Sequence, residues 1–323
     1  MKKNFKFIYI FVVLFSMLFI TGCIDDSSKK VSVIVPTGTP SLGIANVLND
    51  KTLVDANIVS GSDPLIAAFT NASYDVVVAP VNLGAKLYNA NENFSYILYK
   101  TIVWGNYYLV SNEEIATLES LEGKTVLVFG KNSTPDVVLR TLISAKNINV
   151  NLEYVDDVAT ANSYLLSGKA DIIVSAEPSL TKMSANKNFY TLDLQKQWQQ
   201  LTGSYSLPQA GIFIKKDSKD EKYLKTVLDK MIESVQMAQT KPNVLIASAV
   251  SVDENLAKIG KETLQKAIGN CNLRVEETDK EAIEFYFSQV IQLGIGATVG
   301  GKLPDEAFYY LSLIHISEPT RRS

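Results

Sequence analysis

Histidine is almost missing from this chain: His315 is the only one in 323 residues. Cysteine occurs twice, at Cys23 and Cys271, and arginine only at Arg140, Arg274, Arg321 and Arg322. Each scarcity excludes a class of function. A zinc site needs clustered cysteine and histidine at ligand spacing, so no metal is expected. Basic runs are absent too. Lys2, Lys3, Lys6, Arg321, Arg322 and Glu318 fall outside Cys23–Tyr310, so that stretch carries a formal charge of about −7, against −3 for the whole chain. An acidic surface without basic patches argues against nucleic acid as a partner.

What is present begins with an address. Lys2, Lys3 and Lys6 precede the apolar run Phe7–Ile20, which is signal-peptide length and short of the roughly 20 residues that span a bilayer. Ile20-Thr21-Gly22-Cys23 resembles a bacterial lipobox, which implies cleavage before Cys23 and lipid on its sulfur. Lipidation at Cys23 would anchor the chain to the outer face of the cell membrane, on the periplasmic side in a Gram-negative cell. Residues 1–22 are then a signal peptide and 23–30 a lipidated tether. With Cys23 lipidated, Cys271 has no disulfide partner and reads as a packed residue rather than a nucleophile. At the far end, 311–323 resembles a translated sequencing adapter. That reading removes His315 and ends the native chain near Tyr310.

Leu121–Ile143, LEGKTVLVFGKNSTPDVVLRTLI, organises the remainder. Thr125–Phe129 reads as a buried strand, Gly130–Ser133 as a loop, and Thr134-Pro135-Asp136 as a helix start. Such a loop presents backbone N–H groups and hydroxyls to whatever lies above it, although its spacing is not that of a nucleotide P-loop. Ser32–Leu48 repeats the grammar, with Thr39-Pro40-Ser41 opening its helix. Asp75 and Asp171 follow the two threonines at nearly equal distances, each leading into a second strand. Matched β-α-β units point to two similar α/β lobes. Asp63–Asn71 and Val158–Ser167 read as helices. So do Asp220–Thr240, Glu254–Ile268 and Asp279–Leu293, whose apolar stripes are core-facing.

EGKTVLVFGKNSTPDVVL, YDVVVAPVNLGAKLY, ADIIVSAEP and PQAGIFIKK together resemble the substrate-binding lipoproteins of ABC importers. Within these the chain resembles the branch that binds sulfonates, nitrate and thiamine pyrimidines. The resemblance implies a type II periplasmic-binding fold: two Rossmann-like α/β lobes joined by two hinge-crossing segments, near Tyr107–Ser111 and Gln209–Ile214, with a ligand cleft between them. The first lobe would comprise 31–111 plus 209–310, and the second 112–208. Ligands of open α/β sheets sit beyond the carboxyl ends of the strands. Ligand-binding candidates there are Thr37, Thr39, Ser41, Asn82, Trp104, Asn106, Ser133, Thr134, Glu177 and Gln209.

The arginine fork that holds amino-acid carboxylates in such binders is missing, because Arg140 lies well inside its helix and Arg274 far along the chain. Glu177 suits an amine or ring N–H, and Trp104 a flat ring. The ligand is therefore expected to be a small heterocycle or amino-bearing solute, with a sulfonate-like anion as the next choice. The family also implies partners, an ABC permease and its ATPase, with the binding protein a monomer that needs no cofactor and catalyses nothing. Two alternatives stay open: a ligand-sensing or surface lipoprotein without a transporter, and an enzyme of the pyrimidine-synthesis type on the same fold.

Overall fold

The computed structural model describes residues 30–203, 206–217, 221–276 and 279–310. The leader, Cys23 and the tail bearing His315 lie outside the described residues. The chain divides into two units, Met1–Lys30 and Val31–Ser323, and the fold belongs to the second.

Two mixed five-stranded sheets form the two lobes. The first is built from β1 (Val31–Pro36), β2 (Val54–Val59), β3 (Val76–Pro80), β4 (Tyr96–Trp104) and β10 (Pro208–Lys215), in the order β2-β1-β3-β10-β4. The second holds β5 (Tyr107–Ser111), β6 (Thr125–Phe129), β7 (Asn151–Val155), β8 (Ile172–Ala176) and β9 (Tyr190–Asp193), in the order β7-β6-β8-β5-β9. In each sheet four strands run in one direction and one strand arriving from the other lobe's side of the hinge inserts antiparallel: β10 between β3 and β4, β5 between β8 and β9. The chain changes sheets at Gly105–Asn106. Tyr107–Ser111, expected within the first lobe, therefore pairs in the second sheet.

Helices cover both faces. In the first lobe these are α1 (Thr39–Gly43), α2 (Ala45–Leu48), α3 (Asp63–Asn71) and α4 (Val81–Ala90), and in the second α5 (Thr134–Ala145), α6 (Val158–Leu166), α7 (Ser179–Met183) and α8 (Leu194–Thr202). After β10 the chain is helical: α9 (Glu221–Thr240), α10 (Pro242–Val252), α11 (Glu254–Ile259), α12 (Lys261–Ala267) and α13 (Asp279–Gln292). The helix expected over Glu254–Ile268 is broken at Gly260, whose φ of 91° leaves the helical region. No helix among the described residues is long and apolar enough to cross a membrane.

The apolar stripe of α9 does face inward. Leu224, Val227, Leu228, Met231 and Val235 are buried in one core with Val33, Val35, Val76 and Val78 of the first sheet. A second core joins the lobes. Trp198 of α8 packs edge-on to Tyr286 of α13, ring centroids 5.5 Å apart, both fully buried. Aromatic contacts of this kind contribute beyond their buried area.

Candidate functional site

The carboxyl ends of β1, β3, β6 and β8 converge from the two lobes on one cleft. A cavity of about 200 Å3 lies there, walled by Thr37–Pro40, Ser60, Asn106, Ser133–Pro135, Glu177 and Gln209 among others. Gly38, Gly61 and Gly130 of the cavity wall all have positive φ. Gly38 has φ 100° just before the Thr39 helix, a region that side chains avoid. At the sheet change, a Cβ on Gly105 would lie 2.3 Å from Gln195 Oε1, so glycine alone fits against that amide.

The repeated threonines do the same thing from opposite sides. Thr39 Oγ1, in the first lobe, donates across the cleft to the Glu177 carbonyl at 2.7 Å. Thr134 Oγ1, in the second, donates back to Asn82 Oδ1 at 3.0 Å. Asn82 Nδ2 in turn donates to the Asn132 carbonyl at 3.2 Å. Glu177 follows β8 and Asn82, in the first turn of α4, follows β3, so each helix-start threonine meets a residue just past the equivalent strand of the other lobe.

Seven of the ten predicted residues line the cavity: Thr37, Thr39, Asn106, Ser133, Thr134, Glu177 and Gln209. Three do not. Trp104 is fully buried, with its Nε1 donating to the Arg274 carbonyl at 3.1 Å and the Arg274 guanidinium 5.3 Å from its ring centre. It is a hinge residue because β4 runs on through it before the chain turns. Ser41 is also fully buried, donating to Asp253 Oδ2 at 2.6 Å. Asn82 is spent on Thr134 and Asn132 behind the cavity wall.

Most of the hydroxyls that do line the cavity are tied up. Thr37 Oγ1 donates to the Asp253 carboxylate at 2.8 Å, and Ser133 Oγ to the Gly130 carbonyl at 2.6 Å. The Glu177 carboxylate accepts from Thr181 N at 3.1 Å and Thr181 Oγ1 at 2.9 Å. Burial raises its pKa above the usual carboxylate value, and the Thr181 bonds oppose that shift. Gln209 sits at a register shift between β10 and β4. That irregularity lets its Oε1 accept from Asn106 N at 3.3 Å.

Four contributors escaped the sequence reading. Tyr107 and Phe129 form an aromatic wall, rings 6.0 Å apart and nearly edge-on. Phe129 was assigned to a strand, and the last residue of a strand at its carboxyl end is a signal that could have found it. Asp253 and Asp136 lie one layer back. Asp253 accepts from Thr37, Ser41 and the backbone N–H groups of Asn255 and Leu256, capping α11. Asp136, fully buried, accepts from Asn132 N, Tyr154 Oη and both Nε and Nη2 of Arg140. Desolvation and that carboxylate push the Tyr154 phenol up to about 12. Arg140 is thereby committed to its own helix. Cys271 is buried, and burial raises its thiol pKa. Among the described residues no group of three or more His, Cys, Asp or Glu side chains is placed to hold a metal.

The family model described as menaquinone biosynthesis matches residues 101–291, more than half of the chain. The chain belongs to the menaquinone-biosynthesis family. This family was not named by the sequence motifs, which pointed to importer binding proteins. No curated protein matches this family member by sequence. Its fold is shared with solved structures of that second kind. An ABC transporter from Parabacteroides distasonis is 24% identical with a TM-score of 0.71, covering 88% of this chain and 99% of the other. The periplasmic aliphatic sulphonate-binding protein of Escherichia coli is 12% identical with a TM-score of 0.65, over 92% and 99%. The periplasmic nitrate-binding protein of Synechocystis gives 12% and 0.61, over 83% and 82%. Two α/β lobes of the type II periplasmic-binding kind are therefore the fold of this menaquinone-biosynthesis family member.

Proposed function

We propose that this chain is an extracytoplasmic solute-binding lipoprotein, which takes a small organic solute into the interlobe cleft and delivers it to an ABC permease. The observation that carries the reading is the reciprocal pair of threonine bonds, Thr39 to Glu177 and Thr134 to Asn82. They join loops of both lobes around one cavity, so a solute held there touches both lobes and favours their closure. The anchor is lipid on Cys23, the partner a permease with its ATPase, and the working form a monomer. The likeness to importer binding proteins supports the role.

A second reading is favoured by the family itself: an enzyme of a biosynthetic route, acting on a solute in the same cleft. Against it, Thr37, Thr39, Ser133, Thr134 and the Glu177 carboxylate are engaged in protein hydrogen bonds, and no histidine, cysteine or lysine is among the described residues lining the cavity. One experiment separates the two. The full chain, in detergent, is incubated with a small-molecule extract of cells and examined by native mass spectrometry. A compound retained one-to-one, recovered unchanged, and lost in Ser60→Trp, which plugs the cleft mouth, is the expected result. New masses appearing in the extract would favour the enzyme. Retention that survives Ser60→Trp would remove the cleft from either role.

A further inference from the structure

The polar groups of the cleft divide unevenly by sign. Asp156, Asp157 and Glu177 line its inner cavity, and no lysine, arginine or histidine does so among the described residues; Lys182, Lys187 and Lys258 line the adjoining outer cavity, which shares Thr37, Ser60 and Asp157 with it. The first turn of α5, where an anion could rest on the helix end, already holds the Asp136 carboxylate.

One cleft residue also carries an unused acceptor. Asn106 is only 1% exposed, and its Nδ2 donates to Thr39 Oγ1 at 2.8 Å and to the Glu177 carbonyl at 3.3 Å. Thr39 Oγ1 spends its own proton on that same carbonyl. Turning the amide over would set Oδ1 against the Glu177 carbonyl oxygen with no proton between them and would need the Thr39 hydroxyl to leave that carbonyl, so this orientation is the one that satisfies both neighbours. That leaves Oδ1 buried with no hydrogen-bond partner, alone in this respect among the described residues lining the cleft. A buried acceptor without a donor is costly, and a ligand that supplies one recovers the loss.

Building on the solute-binding reading, we infer that the cleft selects a compact, flat solute, uncharged or cationic, whose N–H or O–H donates to Asn106 Oδ1, and that it rejects anions. The cavity of about 200 Å3 admits one ring with a small substituent, and Tyr107 and Phe129 supply a wall for its face or edge. A sulfonate, nitrate or carboxylate would bring lone pairs to Oδ1 and charge to three carboxylates, with no cation at the cavity wall to offset either. This cleft thus differs in ligand sign from the sulphonate- and nitrate-binding proteins that share its fold.

Four probes of one shape test the inference: benzamide, acetophenone, benzamidinium and benzoate. Acetophenone replaces the amide NH2 of benzamide by a methyl, which removes the donor alone. Benzoate removes the donor and adds negative charge, while benzamidinium keeps donors and adds positive charge. Affinities for the full wild-type chain in detergent are measured by ligand-detected NMR, so no folding defect of a variant enters the contrast. Benzamide and benzamidinium are expected to bind at least about tenfold more tightly than acetophenone and benzoate, and Ser60→Trp to abolish their binding. Benzoate as tight as benzamide, acetophenone as tight as benzamide, or no binding by any of the four would each overturn the inference. Preference for benzoate that Ser60→Trp removes would overturn it while leaving the cleft as the binding site. Probe binding untouched by Ser60→Trp would overturn the cleft reading as well.

Discussion

The loop after β1 and the loop after β6 share one grammar, strand, glycine, Thr-Pro, helix, yet they are held in opposite ways. The carboxylate that holds the β6 loop is local, although Asn82 of the other lobe also bonds the Asn132 carbonyl. Asp136 sits four residues beyond Asn132, bonds its N–H at 2.7 Å, and is itself clamped by Arg140 one turn further along the same helix. The β1 loop is held from a distance. Thr37 and Ser41 donate to Asp253, more than 200 residues away, which also caps α11. Their helices differ accordingly: α5 runs unbroken for 12 residues, whereas α1 stops after 5 and restarts as α2 beyond Ile44. A self-contained loop can form with its own helix. A loop fixed by a remote carboxylate acquires its shape only when the C-terminal helices dock.

The contrast breaks most directly at the two carboxylates. Asp136→Ala strands the part-exposed Arg140 guanidinium and frees Asn132 and Tyr154, and is expected to cost about 3 kcal/mol of unfolding free energy in denaturant titration. Asp253→Ala loses two hydroxyl bonds and a helix cap, for about 2 kcal/mol. Hydrogen exchange sharpens the difference. Asp253→Ala should loosen amides in α11 as well as in the β1 loop, while Asp136→Ala should leave α11 protected. Exposure of α11 by both variants would show that the loops are not held independently.

The threonines come next. Thr39→Val and Thr134→Val each keep the side-chain shape and delete one interlobe bond, at about 1 kcal/mol. Thr39→Val also takes an acceptor from Asn106 Nδ2, so it is expected to be the costlier of the two. A double-mutant cycle pairing Thr134→Val with Asn82→Ala should return a coupling of about 1 kcal/mol, and a coupling near zero would dismiss that bond as incidental.

The smallest effect concerns pH. Burial raises the Glu177 pKa above its ordinary 4.5, so the folded chain keeps this proton to higher pH than the unfolded chain does. Its contribution to stability is present in full below the unfolded value and is lost as pH rises through the folded one. Asp279, whose pKa burial also raises, contributes with the same sign. Melting temperatures of wild type and Glu177→Gln, followed from about pH 4 to 7, should therefore lie close at low pH and separate as pH rises, with wild type falling below the variant. Parallel curves would mean that Glu177 titrates as it does in the unfolded chain.

Much of this was legible in residue order alone, because strand-forming runs, Thr-Pro helix starts and their spacing are local properties of the chain. Thr125–Phe129, the helix from Thr134 and the inward stripe of α9 needed nothing beyond periodicity and capping. The sequence also determined which loops share an edge within each lobe, since carboxyl ends of parallel strands in one α/β sheet lie together. Only the tertiary structure decided what each side chain does there. Trp104 and Arg274 lie 170 residues apart and close on each other at the hinge. A register shift turns Gln209 towards Asn106, while Ser41 and Asn82 are claimed by partners from other elements. A hydroxyl or amide reads the same in sequence whether its partner is a ligand or a distant carboxylate. Chain folding assigns the partner, and with it leaves Asn106 Oδ1 as the acceptor still to be filled.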